Sequence, residues 1–507
     1  MDYEKLLETA RAERQMHESL WSDCFKNSFP IRALGFFGSN GGITEANANV
    51  SNLYNPTAAD SMRLLVSAIM GGMVPANSRW VDLDVADDPD YRDEWLDNAA
   101  ETCWREIHAS NFDAAAFDGL IDEIATGQFC MFIGAGGDGL AFEVWPLAEV
   151  FAKSTRSDGI IDTIYRETSM PVSVIARDYG EDMLPEALRN DLKTNPDRKV
   201  KVCQYIYPRE TMTKGAMAKN MPIASVHRLP EYKKTIRESG FEEMPVMFPR
   251  WSQIPGSVYA YGPMYSALPA IKSLNAAERI MLEQSELATR GMWAAVDDGV
   301  LNPATIKIGA GRVITLSNID NLQAINPPGN ISVGDATIAR IESQVRRLLL
   351  ADRLQFPDDA TMTATEANIR MELLRQLIGP VFARLQAEWL KPMIDRVFGI
   401  LLRNGRIPEM PAELQTGKLA IRFISPLARS QRMSEVGAMQ RFESDIMVRA
   451  QFRPEDLDVY DFEAADREKS WLMGVPQKLI RKSTDVEKIR KDRAKAQQEA
   501  PIGPQPA

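Results

Sequence analysis

Apolar residues recur every three or four positions along much of the chain, a spacing that predicts amphipathic helices. The predicted helices cover residues 1–25, 57–71, 89–109, 113–126, 263–291, 333–350 and 364–404. Past Pro426 the sequence is charged and predicted to be helical to about residue 495, and residues 496–507 are expected to be disordered. The pattern therefore predicts a mainly helical protein.

Strand patterns are confined to a few stretches. Residues 80–85 and 418–425 alternate apolar and polar positions, as half-buried strands do. Between residues 129 and 250, short strands alternate with turns and prolines. Between residues 293 and 330, a compact β unit separates two long helices, which we expect to pack antiparallel. The predicted fold class is α+β, mainly helical.

Each of these two long helices carries one apolar stripe. The stripes comprise Met264, Leu268, Ile271, Leu274, Met281 and Leu282 on the first helix, and Ile338, Ile341, Val345 and Leu348 on the second. On another face of the second helix lie Arg340, Gln344 and Arg347, with Arg346 beside them. Arg353 extends this basic cluster, which a solvated helix face explains in a single subunit.

The segment after the second long helix, residues 351–362, has neither a helical nor a strand period. Thr363 and Glu366 then fit a capping box, in which each side chain satisfies the other residue's free backbone N–H at a helix start. Further along, Gly379-Pro380 and Pro392 must bend the helix, because a proline removes a backbone hydrogen bond and crowds the preceding turn.

Composition narrows the possible functions. The chain has 507 residues and a formal net charge of −11, which opposes tight nucleic-acid binding through phosphate neutralisation. Its length suggests roughly two to four structural units. Four cysteines without a C-x-x-C pair and three histidines indicate neither a disulfide framework nor a zinc site. With no signal-peptide pattern and no long apolar run, we expect an intracellular protein without membrane contact.

Two patterns that suggest chemistry are better explained by turns. Residues 134–139 match G-x-G-x-x-G, but a strand follows where a nucleotide-binding loop needs a helix, so a hairpin is predicted. The acidic pairs Asp87-Asp88, Asp297-Asp298 and Asp358-Asp359 adjoin proline or glycine, as turn and capping residues do. We therefore predict no catalytic residue, no metal site and no cofactor.

Several short sequence motifs occur along the chain in an order that is characteristic of one protein family. They are Tyr54 to Trp80, Pro249-Arg250-Trp251 followed by Tyr261-Gly262-Pro263, Asn275 with Glu278, Thr363 to Glu366, Gly379-Pro380, Arg384 to Glu388, and Gly474-Val475-Pro476. This order resembles that of the head-to-tail connecting (portal) proteins of short-tailed, double-stranded DNA bacteriophages. The resemblance covers nearly the whole chain and rests on the order of the motifs, since no single motif is decisive.

The resemblance implies a subunit with a wing, a long-helix stem, a small β-containing clip and a helical crown, assembling into a ring of twelve copies. The expected parts are the wing (1–262 and 364–426), the two stem helices (263–291 and 331–350), the clip (292–330), the tunnel loop (351–363), the crown (427–495) and a disordered tail (496–507). The independent prediction of two long helices around a β unit agrees with this division.

The resemblance also implies a function. A portal ring at one vertex of the virion, assembled in the host cytoplasm, is the channel for DNA packaging and ejection. The expected partners are further copies of the chain, double-stranded DNA held transiently and without sequence preference, the large terminase subunit, the major capsid and scaffolding proteins, and the tail adaptor and nozzle proteins. The clip would be docked first by the terminase and later by tail proteins.

Particular residues acquire expected roles in such a ring. Arg340, Gln344, Arg346, Arg347 and Arg353 become candidates for the lining of the DNA channel, because weak contacts repeated around a ring make a belt of positive charge. The expected tunnel-loop residues, placed to narrow the channel and resist backsliding of DNA, are Leu354, Gln355, Phe356, Pro357, Asp358 and Asp359.

Two other hypotheses remain open at this point. A phage enzyme that processes nucleic acid with a metal ion would use the acidic pairs as ligands. An internal virion protein without a channel would need neither a ring nor a basic belt. Ring formation and metal-dependent cleavage of DNA separate the three possibilities.

Overall fold

The computed structural model describes residues 3–36, 47, 49–85, 94–136, 139–209, 220–290, 292–295, 322–325, 331–354, 379–411, 419–424, 426–473, 475, 481 and 483–499. Its helices are α1 (Tyr3–Lys26), α2 (Thr57–Met73), α3 (Glu94–Ala109), α4 (Phe112–Thr126), α5 (Val172–Tyr179), α6 (Glu186–Thr194), α7 (Pro263–Arg290), α8 (Ile331–Leu348), α9 (Ala351–Leu354), α10 (Lys391–Arg403), α11 (Pro426–Ala450), α12 (Phe462–Leu472) and α13 (Ser483–Glu499). Residues 379–385 are also helical and lead through a π-helical stretch, Gln386–Leu390, into α10.

The strands form small antiparallel sheets. They are β1 (Val81–Val85), β2 (Cys130–Gly136), β3 (Gly139–Trp145), β4 (Val150–Lys153), β5 (Thr163–Pro171), β6 (Lys199–Pro208), β7 (Ile223–Leu229), β8 (Lys234–Phe241), β9 (Val246–Met247), β10 (Ser252–Gln253), β11 (Ala260–Tyr261), β12 (Met292–Ala295), β13 (Leu322–Ile325) and β14 (Leu419–Phe423). Strands β4 to β8 form one sheet in sequence order, β3-β2-β9 form another, and β1-β14, β10-β11 and β12-β13 are pairs.

One large apolar core joins the N-terminal half of the chain to residues 382–423. Strand β1 pairs with β14 so that Val81 lies opposite Phe423, and the ring of Phe423 stacks on Trp80 at 6.5 Å between centroids. Trp389, just before α10, is fully buried and meets Phe129 edge-on at 5.3 Å. Residues from the N-terminal helices and from the region around α10 therefore belong to one folded unit.

The five-stranded sheet is covered on both faces. Side chains alternate between the faces of a strand, so Tyr205 of β6 packs with Leu7 of α1 on one side. Val200 and Val202 pack with Val172 of α5 and Leu188 of α6 on the other side. This arrangement fastens the sheet between the N-terminal helix and a short helical pair.

Two short helices lie where only strands and turns are predicted. Helices α5 and α6 begin directly after Pro171 and Pro185, whose fixed φ suits a helix start. At eight and nine residues they are too short for a clear periodic signal. Helix α2 also differs from prediction, since it continues through Gly71-Gly72 to Met73, whose side chain is buried on the apolar face of the helix.

The two long helices are confirmed as α7 and α8. Strands β12 and β13, which follow α7 and precede α8, pair antiparallel, and Gly334 near the start of α8 lies against Met281 in the second half of α7. The helices therefore run antiparallel, as predicted. Leu282 is an exception to the predicted stripe, because it is 51% exposed where α7 has passed beyond the main core.

Several predicted elements lie at the border of the described residues. Residues 351–354 form α9 instead of the non-periodic segment that the sequence predicts, and α13 extends to Glu499, inside the predicted disordered tail. The predicted strands and turns between β12 and β13 lie outside the described residues. Of the helices in the described ranges, none is long and apolar enough to cross a membrane.

Candidate channel surface

The solvent-facing side of α8 presents three polar side chains in a row. At about 100° per residue, Arg340, Gln344 and Arg347 fall within about 60° of one another around the helix axis. All three are exposed. Among the described residues, no carboxylate lies within ion-pair distance of Arg340 or Arg347. This face of α8 therefore offers two arginines without an acidic partner among the described residues.

Arg346 occupies a different position from its neighbours. It lies about 100° away from Arg347 around the helix and its guanidinium is 3.7 Å from the carboxylate of Glu342, one turn earlier. Asp335 and Glu342, the two acidic residues of α8, lie on the same side as Arg346. Arg346 is thus paired on the acidic side of α8, while Arg340 and Arg347 lie on a different side from both acidic residues.

A sharp break separates Arg353 from this row. Leu350 follows α8 with φ of 60°, a left-handed conformation that a leucine rarely adopts. Its N–H bonds the carbonyl of Arg347 at 3.1 Å, and α9 then begins in a new direction. Arg353 is exposed on α9, and Leu354 packs against the main core. The sequence cluster is therefore divided between two helices.

The remaining predicted site residues are only partly within the described ranges. Gly379 and Pro380 are helical, as predicted. Lying outside the described residues are Gln355, Phe356, Pro357, Asp358, Asp359, Thr363 and Glu366, together with the acidic pairs Asp87-Asp88 and Asp297-Asp298. The described glycines of the G-x-G-x-x-G match belong to the predicted hairpin, in which Gly134 pairs with Ala141 and Gly136 pairs with Gly139. Within the described part of the chain, no cluster of three or more acidic, histidine or cysteine side chains is placed to hold a metal ion.

A chain of partly exposed hydrogen bonds links α7 to α8 through the turn before α2. The Asn275 carbonyl oxygen accepts hydrogen bonds from the backbone N–H groups of Tyr54 (2.6 Å) and Asn55 (3.3 Å), and its amide donates to the carbonyl of Asn52 at 2.8 Å. Asn55 in turn donates its side-chain amide to Glu342 of α8 at 2.9 Å. The turn before α2 therefore holds both long helices in register.

The start of α7 is held by two close backbone approaches. Gly127 ends α4 with φ of 98°, and a Cβ placed there would lie 2.4 Å from the carbonyl carbon of Tyr261. A Cβ on Gly262 would lie 2.5 Å from the carbonyl oxygen of Ile124. Both positions require glycine because the chain leading into α7 touches the end of α4 backbone to backbone.

A buried ion pair stands beside this junction. Arg250, which is 3% exposed, donates from Nε to Oε2 of Glu388 at 3.1 Å and from Nη2 to Oε1 at 2.7 Å. It also donates to the carbonyl of Gly159 at 3.1 Å. Arg384, one turn before Glu388, donates to the carbonyl of Trp251 at 2.9 Å. Two arginines thus join the long C-terminal helix to the strand region that precedes α7.

Glu388 sits in the π-helical stretch for a local reason. Pro392 has no N–H, so it cannot donate to the carbonyl of Glu388 in an α-helical pattern. The wider π turn of Gln386–Leu390 stands directly before the proline. This π stretch carries Glu388, the partner of Arg250, and the bend at Pro392 stays a prediction.

A second carboxyl group lies near this ion pair without a partner. Glu123 of α4 is fully buried, and neither of its carboxyl oxygens has a hydrogen-bond partner among the described residues. Burial, with the nearby negative charge of Glu388 adding to it, raises the pKa of Glu123 well above its usual range. The protonated, neutral form of Glu123 therefore fits this site. A neutral Glu123 does not compete with the Glu388 carboxylate for the charge of Arg250.

These anchoring contacts are what sequence reasoning does not find. Arg250, Asn275 and Glu388 all stand in stretches that carry the resemblance, yet nothing in the sequence pairs them with their partners. The sequence offers one signal, which concerns Arg250: it stands between Pro249 and Trp251 in a stretch with few other charged residues. Charged residues in such surroundings are rarely buried without a partner.

The chain matches one protein family over most of its length. Residues 2–480 match the family described as bacteriophage head to tail connecting protein. The chain is similar to the portal protein of Salmonella phage epsilon15, with 28% identity over 521 residues that cover 98% of this chain and 91% of that protein. It is also similar to the probable portal protein of Bordetella phage BPP-1, with 25% identity over 523 residues covering 97% and 90%. Among solved structures, a chain of the virion of a native gene transfer agent particle matches with a TM-score of 0.38 and 13% identity, covering 80% of this chain and 90% of that one.

Proposed function

Because the chain belongs to the bacteriophage head-to-tail connecting protein family, we propose that twelve copies form the portal ring through which a phage genome is packaged and ejected. The observation that carries the proposal is the family match over residues 2–480 together with two portal relatives that each cover nearly the whole chain. Neither the metal-dependent enzyme nor the channel-free virion protein draws support from these comparisons. The ring is a structural component and catalyses no reaction.

We assign the parts of the subunit by the expected division. Helices α7 and α8 form the stem, and β12 and β13 begin and end the clip at 292–330. Residues 1–262 and 364–426 form the wing, a division supported by the pairing of β1 with β14. Residues 351–363 form the tunnel loop, and α11 to α13 belong to the crown.

The exposed face of α8 is the DNA-facing surface of the stem. Arg340, Gln344 and Arg347 are exposed there, and the arginines have no acidic partner among the described residues. A moving duplex must form and break contacts quickly, because each retained phosphate contact adds resistance to sliding. Two free arginines per subunit on a protein of net charge −11 give weak, repeated contacts without holding the DNA.

The partners and location follow from the same proposal. The ring stands at one vertex of the virion, after assembly in the host cytoplasm with the major capsid and scaffolding proteins. The clip docks the large terminase subunit during packaging and the tail adaptor and nozzle proteins afterwards. Heterologous contacts between identical subunits close the ring.

The purified full-length chain tests the proposal directly. Electron microscopy and native mass spectrometry are expected to show closed rings with an axial channel. A protein that stays monomeric at micromolar concentration, alone and with its capsid proteins, contradicts it. Metal-dependent cleavage of plain duplex DNA that is lost in Asp358→Ala favours the enzyme instead.

The role of α8 is tested in rings that have formed. Arg340→Gln with Arg347→Gln is expected to leave ring formation intact and to lower the salt dependence of duplex binding, because fewer counterions are displaced from the phosphates. Arg279→Gln is the matched control, since this exposed arginine of α7 is already paired with Glu283 at 2.9 Å. Equal salt dependence in both proteins shows that α8 does not face DNA.

A further inference from the structure

An exposed apolar surface covers the end of α11 and the turn after it. The exposed fractions are 60% for Met447, 59% for Val448, 84% for Phe452, 41% for Leu457 and 78% for Val459. These five residues lie within thirteen positions, which we call the 447–459 surface. Single exposed apolar residues are common, but a dense group of this kind marks a contact site.

The backbone beneath this surface is well fastened. Residues 454–459 form a 3₁₀ helix, and the Tyr460 hydroxyl just after it donates to Glu443 of α11 at 3.1 Å. Lys469 of α12 binds the same carboxylate at 2.8 Å. Ile446 is buried on the other side of α11. The apolar residues are therefore held outward by a folded hairpin of helices, and their exposure is not an effect of a frayed end.

The same surface carries both signs of charge. Arg449 lies in the last turn of α11, where positive charge suits the helix dipole, and Arg453 follows just after the helix end. Glu455 and Asp458 are three residues apart in the 3₁₀ helix, so their side chains align. All four are exposed, and none forms an ion pair with another described residue. Two unpaired basic residues thus stand next to two unpaired acidic residues.

Exposed apolar side chains next to charges of both signs favour a protein partner over DNA or a membrane. DNA or an anionic membrane requires a basic surface, and residues 447–459 carry more acidic than basic side chains. A protein surface that offers apolar area and both charges is needed, and the 447–459 surface of a second copy offers all three. The basic pair lies at and just after the end of α11 and the acidic pair lies in the 3₁₀ helix, so a contact of the first segment with the second segment of the next copy pairs opposite charges. Such a contact is heterologous, and repeated heterologous contacts close a ring.

We propose that neighbouring subunits dock through the 447–459 surface, with Arg449 and Arg453 of one copy facing Glu455 and Asp458 of the next. The proposal rests on the ring of the proposed function and assigns one of its contacts. The exposed apolar side chains, above all Phe452, are buried in the contact, and the charges set its direction.

Charge reversal in the full-length chain tests the pairing. Native mass spectrometry of R449E/R453E and of E455R/D458R is expected to show the association constant of neighbouring subunits lowered at least about 30-fold, because like charges then face each other. The fourfold variant that carries both reversals is expected to recover ring formation to within about threefold of the wild type. The recovery also shows that the variants fold, since the fourfold chain contains every substitution.

A matched control separates specific pairing from a change of net charge. R177E/K193E reverses two exposed basic residues of α5 and α6, and it is expected to form rings like the wild type. Rings of R449E/R453E and E455R/D458R that match the wild type overturn the inference and leave the portal function standing. A fourfold variant that stays dissociated also overturns it, because the partner charges then lie on another surface or another protein. If the wild type forms no ring in the same experiment, it is the portal function itself that fails.

Discussion

Breaking the buried pair between Arg250 and Glu388 is expected to loosen the junction at which α7 leaves the wing. Arg250→Met keeps the volume of the aliphatic stem and removes both charged hydrogen bonds to Glu388, at 2.7 and 3.1 Å. It leaves a carboxylate that is 19% exposed and lies near the buried Glu123. Removing one partner of a buried pair costs about 3–5 kcal/mol, chiefly through the charge that remains.

The expected value lies at the lower end of that range. Glu388 borders a cavity of about 690 Å³ that also touches Arg156 and Asp162, so water can reach part of the stranded carboxylate. We therefore expect about 3 kcal/mol, equivalent to about 150-fold in a local opening equilibrium. Glu388→Gln is expected to cost less, since the amide oxygen still accepts one hydrogen bond from Arg250.

Hydrogen exchange on the folded, full-length protein is the suitable measurement, because a chain of this size need not unfold in one step. Amides of 384–403 and of 123–131 are expected to exchange about 150-fold faster in Arg250→Met. Arg279→Met is the control, because its pair with Glu283 is 61% and 57% exposed and is worth about 0–1 kcal/mol. If Arg250→Met and Arg279→Met change exchange equally, the buried pair does not hold this junction.

Three further results are expected. Gly262→Ala forces a Cβ to within 2.5 Å of the Ile124 carbonyl oxygen and is expected to cost at least about 3 kcal/mol, measured as lost soluble ring, whereas the open position Gly379→Ala costs little. Asn275→Ala removes three hydrogen bonds and is expected to cost about 2 kcal/mol, seen as faster exchange of the turn before α2 with α4 unchanged. Burial lowers the pKa of His227 to about 4. Below pH 6.5 unfolding therefore takes up a proton, and up to about 3 kcal/mol of stability is lost as the pH falls from 6.5 to 4. In thermal melts His227→Gln is expected to flatten this pH dependence, and identical melting profiles of the two proteins refute the prediction.

The sequence predicts what local periodicity encodes. The long helices α7 and α8, their antiparallel packing, and the separation of Arg340, Gln344 and Arg347 from the apolar stripe all follow from spacing along one element. The capping box at Thr363 and residues 355–363 of the expected tunnel loop lie outside the described residues, and both stay predictions. Leu282 shows the limit of the method, because periodicity gives the face of a helix and not the point at which the core ends.

The anchoring contacts could not be predicted because they join distant parts of the chain. Arg250 and Glu388 are 138 positions apart, and Asn275 and Asn52 are 223 apart. Single residues of this kind have no period, and their pairing depends on how helices and sheets stack. The short helices α5 and α6 were missed for a related reason, since the sheet beneath them and not their own spacing decides their burial.

Two kinds of arginine in this protein have different roles, since one kind is buried and stabilises the fold and the other is exposed with its charge free to bind. Arg250 is buried and held by a carboxylate and a carbonyl, so its charge is committed to the fold. Arg340 and Arg347 are exposed on a helix whose opposite side is fixed by Val345, and their charges are uncommitted. In the proposed channel, α8 can hold these side chains at a constant radius only if its backbone stays fixed, because sliding DNA would pull on every contact. The hydrogen bonds of Asn275 and the glycine junction at the start of α7 supply that rigidity, so loosening them is expected to impair DNA passage even when both arginines remain.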